Sequence, residues 1–153
     1  MAKICSDVAG MLRKRFNGVP GVTVELEDSC DPAAEAKKAL GGWGVLILVA
    51  ASGHVRSRGS GALTVGEASI ELTVIENPKR NRKSATPGPT VSVASEAARD
   101  ALHWQFAEAY LLDYIDTRRA DVAEASSNFI VFVVKFAPPV LDIPWLKVLL
   151  IYL

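Results

Sequence analysis

The feature that most constrains this chain is a strand-like stretch that ends abruptly in positive charge. Between residues 67 and 75 apolar and polar residues alternate, which is the period of a strand with one buried face. The apolar positions are Ile70, Leu72 and Val74, and the polar positions are Ser69, Glu71 and Thr73. Residues 76–83 then read Glu-Asn-Pro-Lys-Arg-Asn-Arg-Lys, with four cations in the last five positions. The pattern predicts a strand that leaves the core through a basic loop, and we place this strand toward the edge of its sheet.

A second strand precedes the first. Residues 43–51 are apolar without alternation, which is typical of a central strand covered on both faces. Residues 52–66 contain four glycines and connect the two strands as a long hairpin or arm. Connections of this length are uncommon unless functional, so a contact arm and a mobile hairpin tip both remain open.

Helical and further strand patterns surround this pair. Residues 4–16 carry apolar side chains at every fourth position and form an amphipathic helix, and residues 31–41 form a short capped helix. A third helix is predicted from an N-cap at Ser92 to about residue 106, and its stripe of mostly small packing residues is Val93, Ala97, Ala101 and Leu102. Residues 22–26 alternate like a strand. Residues 110–119 fit a helix or a strand, and we favour a strand because residues 128–136 offer an obvious partner.

These elements predict an α+β fold with a mainly antiparallel sheet of about four to five strands, flanked by two or three helices. With 153 residues, half of them hydrophobic, we expect a single domain over residues 1–139. Residues 140–153 form an apolar C-terminal extension whose only charged residues are Asp142 and Lys147. Such an end either docks on its own domain or contacts a neighbouring subunit.

Composition also limits location and partners. Seventeen basic and seventeen acidic residues give no net charge, which argues against a broadly basic nucleic-acid binder. Cys5 and Cys30 lie far apart without a CxxC context, so we expect reduced thiols and folding in a cytoplasm. No secretory signal is recognisable, and no stretch approaches the roughly 20 apolar residues that cross a bilayer, so a membrane is not an expected partner.

No catalytic motif is present, and we expect neither enzymatic activity nor a cofactor. The two histidines, His54 and His103, lack a spacing that would hold a metal with either cysteine. Glu71 and Glu76 near Lys79 suggest a nuclease site, but two-metal chemistry needs a second acidic residue on a neighbouring strand. We therefore predict no catalytic, cofactor-binding or metal site.

The order of elements resembles tail-terminator or tail-completion (minor tail) proteins of long-tailed bacteriophages and prophages. The likeness covers roughly residues 4–137, and its motifs are a Glu-Asn-Pro followed by Asn-Arg and a helix ending in Leu-His-Trp. The residues that carry it are Val45–Ala50, Ile70–Pro78 with Asn81 and Arg82, Leu102–Trp104, and Phe129–Phe136.

The resemblance implies a structural protein that assembles as a homo-oligomeric ring, commonly a hexamer, and acts without catalysis. Such a ring caps the tail tube, stops its growth and meets the head–tail connector protein, so the chain would assemble in the host bacterial cytoplasm and reside in the virion tail. The expected contacts with neighbouring subunits, or with DNA in the lumen, are Arg56, Arg58, Lys79, Arg80, Arg82 and Lys83. The alternative is a small nucleic-acid-binding or processing protein that uses the Lys79–Lys83 stretch, since cations contact phosphates.

Overall fold

The computed structural model describes residues 2–27, 44–57, 64–107, 110–120 and 129–137. Its helices are α1 (Ala2–Arg15), α2 (Pro78–Lys83) and α3 (Val91–Leu102). Its strands are β1 (Val22–Leu26), β2 (Val45–Ser57), β3 (Thr64–Glu76), β4 (Phe106–Ala107), β5 (Tyr110–Leu111), β6 (Asp113–Ala120) and β7 (Ile130–Ala137). The α+β class is confirmed. The helix predicted over 31–41 and the apolar extension over 140–153 lie outside the described residues.

Five strands form the main sheet in the order β1-β2-β3-β7-β6, while β4 and β5 form a separate two-stranded ribbon. Strands β1 and β2 are parallel, and the remaining neighbours are antiparallel. The placement of β3 toward the edge is wrong, because β7 pairs with its other side from Ile70↔Phe136 to Glu76↔Ile130. This long-range pairing puts β3 in the middle of the sheet.

Strands β2 and β3 form one long hairpin. They pair from Val45↔Glu76 to Ser57↔Thr64, thirteen residues on each side. Much of the connection expected over residues 52–66 therefore continues the two strands. On the side of Ile70↔Ala51 that leads to Ser57↔Thr64, β2 and β3 pair only with each other among the described residues. The pairing of β3 with β7 covers only the other part, from Ile70 to Glu76.

The main core lies between the sheet and helices α1 and α3. Ile70, Leu72 and Val74 are fully buried there, as their alternation predicts. Helix α1 contributes its every-fourth-residue stripe, including Val8 and Leu12, and Arg13 donates from its guanidinium to the carbonyl of Val24 in β1. Burying each such aliphatic side chain contributes about 1.5–3 kcal/mol, so this face holds the sheet and the helices together.

The other face of the sheet carries a second buried cluster. It consists of Leu46 and Leu48 from β2, Ile75 from β3 and Val131 from β7. Because Val45, Ile47 and Val49 belong to the main core, β2 is buried on both faces, which confirms the reading of residues 43–51 as a covered strand.

Helix α3 differs from its sequence prediction in register. Its N-cap is Thr90, whose Oγ1 accepts from the Val93 amide at 3.4 Å, and not Ser92. The predicted stripe is wrong in part, because Val93 is 55% exposed. The buried side is Val91, Ala94, Ser95, Ala98 and Leu102. The helix thus begins two residues earlier than predicted and packs through a neighbouring face, whose small residues let α3 lie close to the sheet.

The ambiguous stretch 110–119 is extended, as favoured, but it belongs to two strands, β5 at Tyr110–Leu111 and β6 from Asp113. Strand β6 pairs with β7 from Asp113↔Ala137 to Ala120↔Val131, with an irregularity between Tyr114 and Asp116. Its side chains are mostly exposed, and it is the last strand on its side of the sheet. Among the described residues, no helix is long and apolar enough to cross a membrane.

Candidate functional site: a polar lock beneath a basic helix

The end of β3 holds a buried carboxylate. Glu76 is 4% exposed, and both of its oxygens accept hydrogen bonds. Oε1 accepts from Nδ2 of Asn81 at 2.9 Å, and Oε2 accepts from the backbone amide of Val91 at 2.7 Å. A buried carboxylate is tolerated when its oxygens are satisfied in this way. Glu76 therefore ties the last residue of β3 to the first residue of α3.

Asn81 completes the network from the middle of α2. It is 3% exposed, and its Oδ1 accepts from the Gly88 amide at 2.8 Å. Its Nδ2 also approaches the carbonyls of Pro89 at 3.1 Å and Gly88 at 3.4 Å. We call this network the polar lock: the side chains of Glu76 and Asn81 with the backbone of Gly88, Pro89 and Val91. It fixes the path from β3 through α2 to α3.

The basic stretch is a helix and not the loop predicted from sequence. Asn77 caps α2, since its Oδ1 accepts from the Arg80 amide at 3.2 Å, and Pro78 occupies the first turn. Proline suits that position because its missing N–H has no partner there anyway. The six residues of α2 are followed by the C-cap Ser84, whose amide donates to the carbonyl of Asn81.

Close backbone packing supports the lock. Gly44, at φ 108°, lies so near Gly21 that a Cβ on it would sit 2.0 Å from the Gly21 carbonyl oxygen. A Cβ on Gly21, at φ 73°, would lie 3.1 Å from the Cα of Gly88. The Val45 amide donates to the Gly21 carbonyl at 2.7 Å. The start of β2 and the loop of the lock therefore meet at glycine backbone.

The four cations predicted as contacts lie on the surface of α2. Lys79, Arg80, Arg82 and Lys83 are all exposed, while Asn81 between them points into the lock. A short helix anchored at its centre presents these charges in fixed positions, whereas a loop would have let them vary. We call these four residues the basic cluster.

Arg56 does not join the basic cluster within one chain. Arg56 pairs with Val65, at the opposite end of the β2–β3 hairpin from Glu76, and Arg58 lies outside the described residues. The separation of Val65 and Glu76 is 76 − 65 = 11 residues, which at roughly 3.3 Å each is about 36 Å along the strand. Arg56 and the basic cluster thus cannot form a single site in one subunit.

The Leu-His-Trp motif forms a structural corner between α3 and β6. Nδ1 of His103 accepts from the Tyr114 amide at 3.1 Å, and its ring stands edge-on to Trp104 and Tyr114. Tyr114 in turn packs edge-on to Phe136, with ring centroids 6.0 Å apart. Such ring pairs add about 0.5–1.5 kcal/mol beyond area burial. His103 therefore links α3 to β6, and its Nδ1 already accepts a hydrogen bond from the backbone.

The geometry provides no catalytic constellation among the described residues. Both oxygens of Glu76 are occupied by donors from the chain, so it is not poised to accept a proton from a substrate. The described part of the chain contains no group of three or more His, Cys, Asp or Glu side chains that could hold a metal ion. Sequence reasoning missed the lock itself, although the Asn77-Pro78 helix-start signal was readable.

Comparisons with known proteins give a likeness of fold. No family model matches the sequence, and no curated protein matches it. Among solved structures, the fold is similar to a chain from the virion of a native gene transfer agent (GTA) particle. The two share 16% sequence identity and a TM-score of 0.52, and the match covers 90% of this chain and 94% of the other. At this identity the likeness establishes a shared fold.

Proposed function

We propose that this chain is a structural subunit of a phage-like virion, and within that class a ring-forming tail terminator that caps the tail tube. The observation that carries the proposal is the fold shared with a chain of a gene transfer agent virion over nearly the full length of both. The match extends over whole chains, as expected for counterparts in related particles. The polar lock, with every group satisfied internally, suits a scaffold better than a reaction centre.

The basic cluster gives the proposed ring a surface for DNA. Duplex DNA carries one negative charge per roughly 1.7 Å of its axis, so cations on the inner wall of a ring would meet phosphates without reading sequence. Four exposed cations on a rigid six-residue helix suit such non-specific contact. We place the basic cluster toward the lumen, and the β2–β3 hairpin with Arg56 toward a neighbouring subunit.

The ring is tested by mass and by assembly on a tube. Native mass spectrometry and negative-stain microscopy would be applied to the purified protein, alone and with tubes assembled from a phage tail-tube protein. We expect closed rings, six-fold by the family resemblance, bound at tube ends, and tubes that stop lengthening. A protein that stays monomeric and leaves tube length unchanged at a large excess would contradict the proposal.

The lumen assignment is tested by removing the charges. Lys79→Gln, Arg80→Gln, Arg82→Gln and Lys83→Gln would be combined in one variant. A matched control would carry the same four-charge loss at the exposed positions Lys14, Arg15, Arg118 and Arg119. We expect the first variant to form rings on tubes but to lose most salt-dependent DNA retention, while the control keeps it. Equal DNA retention in the two variants would contradict the assignment.

The second candidate is a nucleic-acid-binding protein that works without a ring. The surface position of all four cations of the basic cluster favours it, because exposed cations of a single subunit can contact phosphates. A salt-sensitive gel shift by the monomer that is abolished in the four-charge variant would support this candidate over the terminator. The same protein should then neither bind tube ends nor change tube length. Arg56 lies about 36 Å away along the hairpin, so it would not contribute to the same phosphate contacts.

A further inference from the structure

An apolar hollow lies at the corner where α3 ends and the main sheet stops. The described residues that line it are Trp104, Leu111, Leu112, Asp113 and Ala137, and its volume is about 240 Å³. Small-molecule sites usually measure about 300–1,000 Å³, so this hollow is too small for a typical ligand. It is large enough for one bulky apolar side chain.

Trp104 makes this corner unusual. It is 66% exposed, and it adopts a positive φ of 62°, a conformation that bulky residues avoid. Its amide donates to the Leu112 carbonyl at 2.9 Å, and the Leu112 amide donates to the Gln105 carbonyl at 2.9 Å. These bonds hold an indole in a strained and exposed position. Exposed aromatic side chains of this kind are common anchors of docking surfaces.

The chain itself supplies an apolar partner at this point. Ala137, which lines the hollow, is followed by Pro138-Pro139 and then by the apolar extension 140–153. Three residue steps separate Ala137 from Val140 and span at most roughly 11 Å, so the extension begins within about that reach of Ala137. The two prolines have no amide N–H to donate to a neighbouring strand.

We propose that the hollow is the docking site of the apolar extension 140–153 of the same chain, with one of its large side chains inserted beside Trp104. Attachment through two residues gives the extension an effective concentration of the order of millimolar, which no free partner matches in a dilute solution. The inference goes beyond the proposed function and does not depend on ring formation. It assigns the apolar chain end to a contact within the subunit.

The test uses the full chain labelled with 5-fluorotryptophan and observed by fluorine NMR. Trp43, Trp104 and Trp145 give separate resonances, assigned by single Trp→Phe variants. Leu146→Asp and Leu149→Asp, each in its own variant, place a charge on the extension. Lys147→Asp is the matched control, because it introduces the same residue at a position that is already charged.

We expect at least one leucine variant to move the Trp104 resonance to its position in the urea-unfolded chain and to raise its solvent isotope shift by at least two-fold. Lys147→Asp should leave the resonance in place, and the wild-type spectrum should be unchanged on hundred-fold dilution. Amide spectra that stay native elsewhere would exclude unfolding as the cause. A Trp104 resonance equally solvent-exposed in the wild type and both leucine variants would overturn the proposal. Loss of shielding on dilution would also overturn it, since the extension would then belong to a second copy.

Discussion

At the scale of single residues, Trp104 stores backbone strain. A non-glycine residue in the left-handed region costs roughly 1–2 kcal/mol, and asparagine tolerates that region better than alanine does. We therefore expect Trp104→Asn to be more stable than Trp104→Ala by about 0.5–1 kcal/mol in urea unfolding. Both changes remove the indole, so the comparison isolates the effect of φ 62°. An alanine variant as stable as the asparagine variant would show that the position is unstrained.

Cys5 offers a second residue-scale prediction. Burial against the main core raises the pKa of its thiol from the ordinary value of 9.0, and the nearby N-terminal charge lowers it by less. The folded state therefore keeps the thiol protonated while the unfolded state ionises, so stability is lost as pH rises above 9.0. Relative to Cys5→Ala, the wild type should lose at most about 1.4 kcal/mol per pH unit in urea unfolding. If the free energies of unfolding of the two proteins run parallel as pH rises above 9.0, the prediction is contradicted.

At the scale of elements, the polar lock should dominate the stability of the β3–α2–α3 connection. Glu76→Gln turns one carboxylate oxygen into an amide donor that faces another donor, at Asn81 Nδ2 or at the Val91 amide. Losing a hydrogen bond to a charged group costs about 1.5–3 kcal/mol. We expect a loss of this size in urea unfolding, while Glu71→Gln on the half-exposed face of β3 should change stability by less than about 0.5 kcal/mol.

Asn81→Asp should make the lock sensitive to acid. The new carboxylate would lie about as far from Glu76 as the 2.9 Å that separates the present amide nitrogen from Oε1. Two carboxylates this close share a proton, because like charges disfavour ionisation of both. The variant should be strongly destabilised at pH 7 and should recover part of its stability near pH 5. Asn17→Asp, at an exposed position, is the control and should show no recovery. A variant as stable at pH 7 as at pH 5 would argue against close contact.

Local patterns predicted most elements, and tertiary contacts decided the rest. A period-two pattern located β3, an unbroken apolar run located β2, strand-favouring residues located β7, and an every-fourth-residue stripe located α1. Helix α2 was missed because six residues show no periodicity, although Asn77-Pro78 is a cap followed by proline. The register of α3 was wrong because Thr90 and Ser92 are both good caps, and alanines on several sides leave its packing face ambiguous.

The candidate site was predictable only in its exposed part. The basic cluster was visible as a run of cations, and the structure places all four at the surface. The polar lock was not, because it joins β3, α2 and the loop before α3, and no local pattern marks a buried pair of Glu76 and Asn81. The separation of Arg56 from the basic cluster was not readable from the sequence for the same reason, since only strand pairing sets it.

At the scale of the whole molecule, protection from hydrogen exchange should follow the strand order. Strand β3 pairs with β2 on one side and β7 on the other, and Ile70, Leu72 and Val74 are fully buried. Strand β6 ends the sheet with mostly exposed side chains. Exchange in the dilute subunit should therefore need global unfolding for residues 70–75 and only local opening for residues 116–119.

Assembly should change this order in a specific way. An outer strand that pairs with a neighbouring subunit gains hydrogen bonds along its whole edge. If rings form through β6, its protection should rise on assembly by at least ten-fold, while residues 70–75 change little because they are already the most protected. Mass-spectrometric exchange on dilute protein and on tube-bound rings would measure both. Slow exchange of β6 in the dilute subunit would contradict an open edge there, and unchanged exchange on assembly would place the subunit contact on another surface.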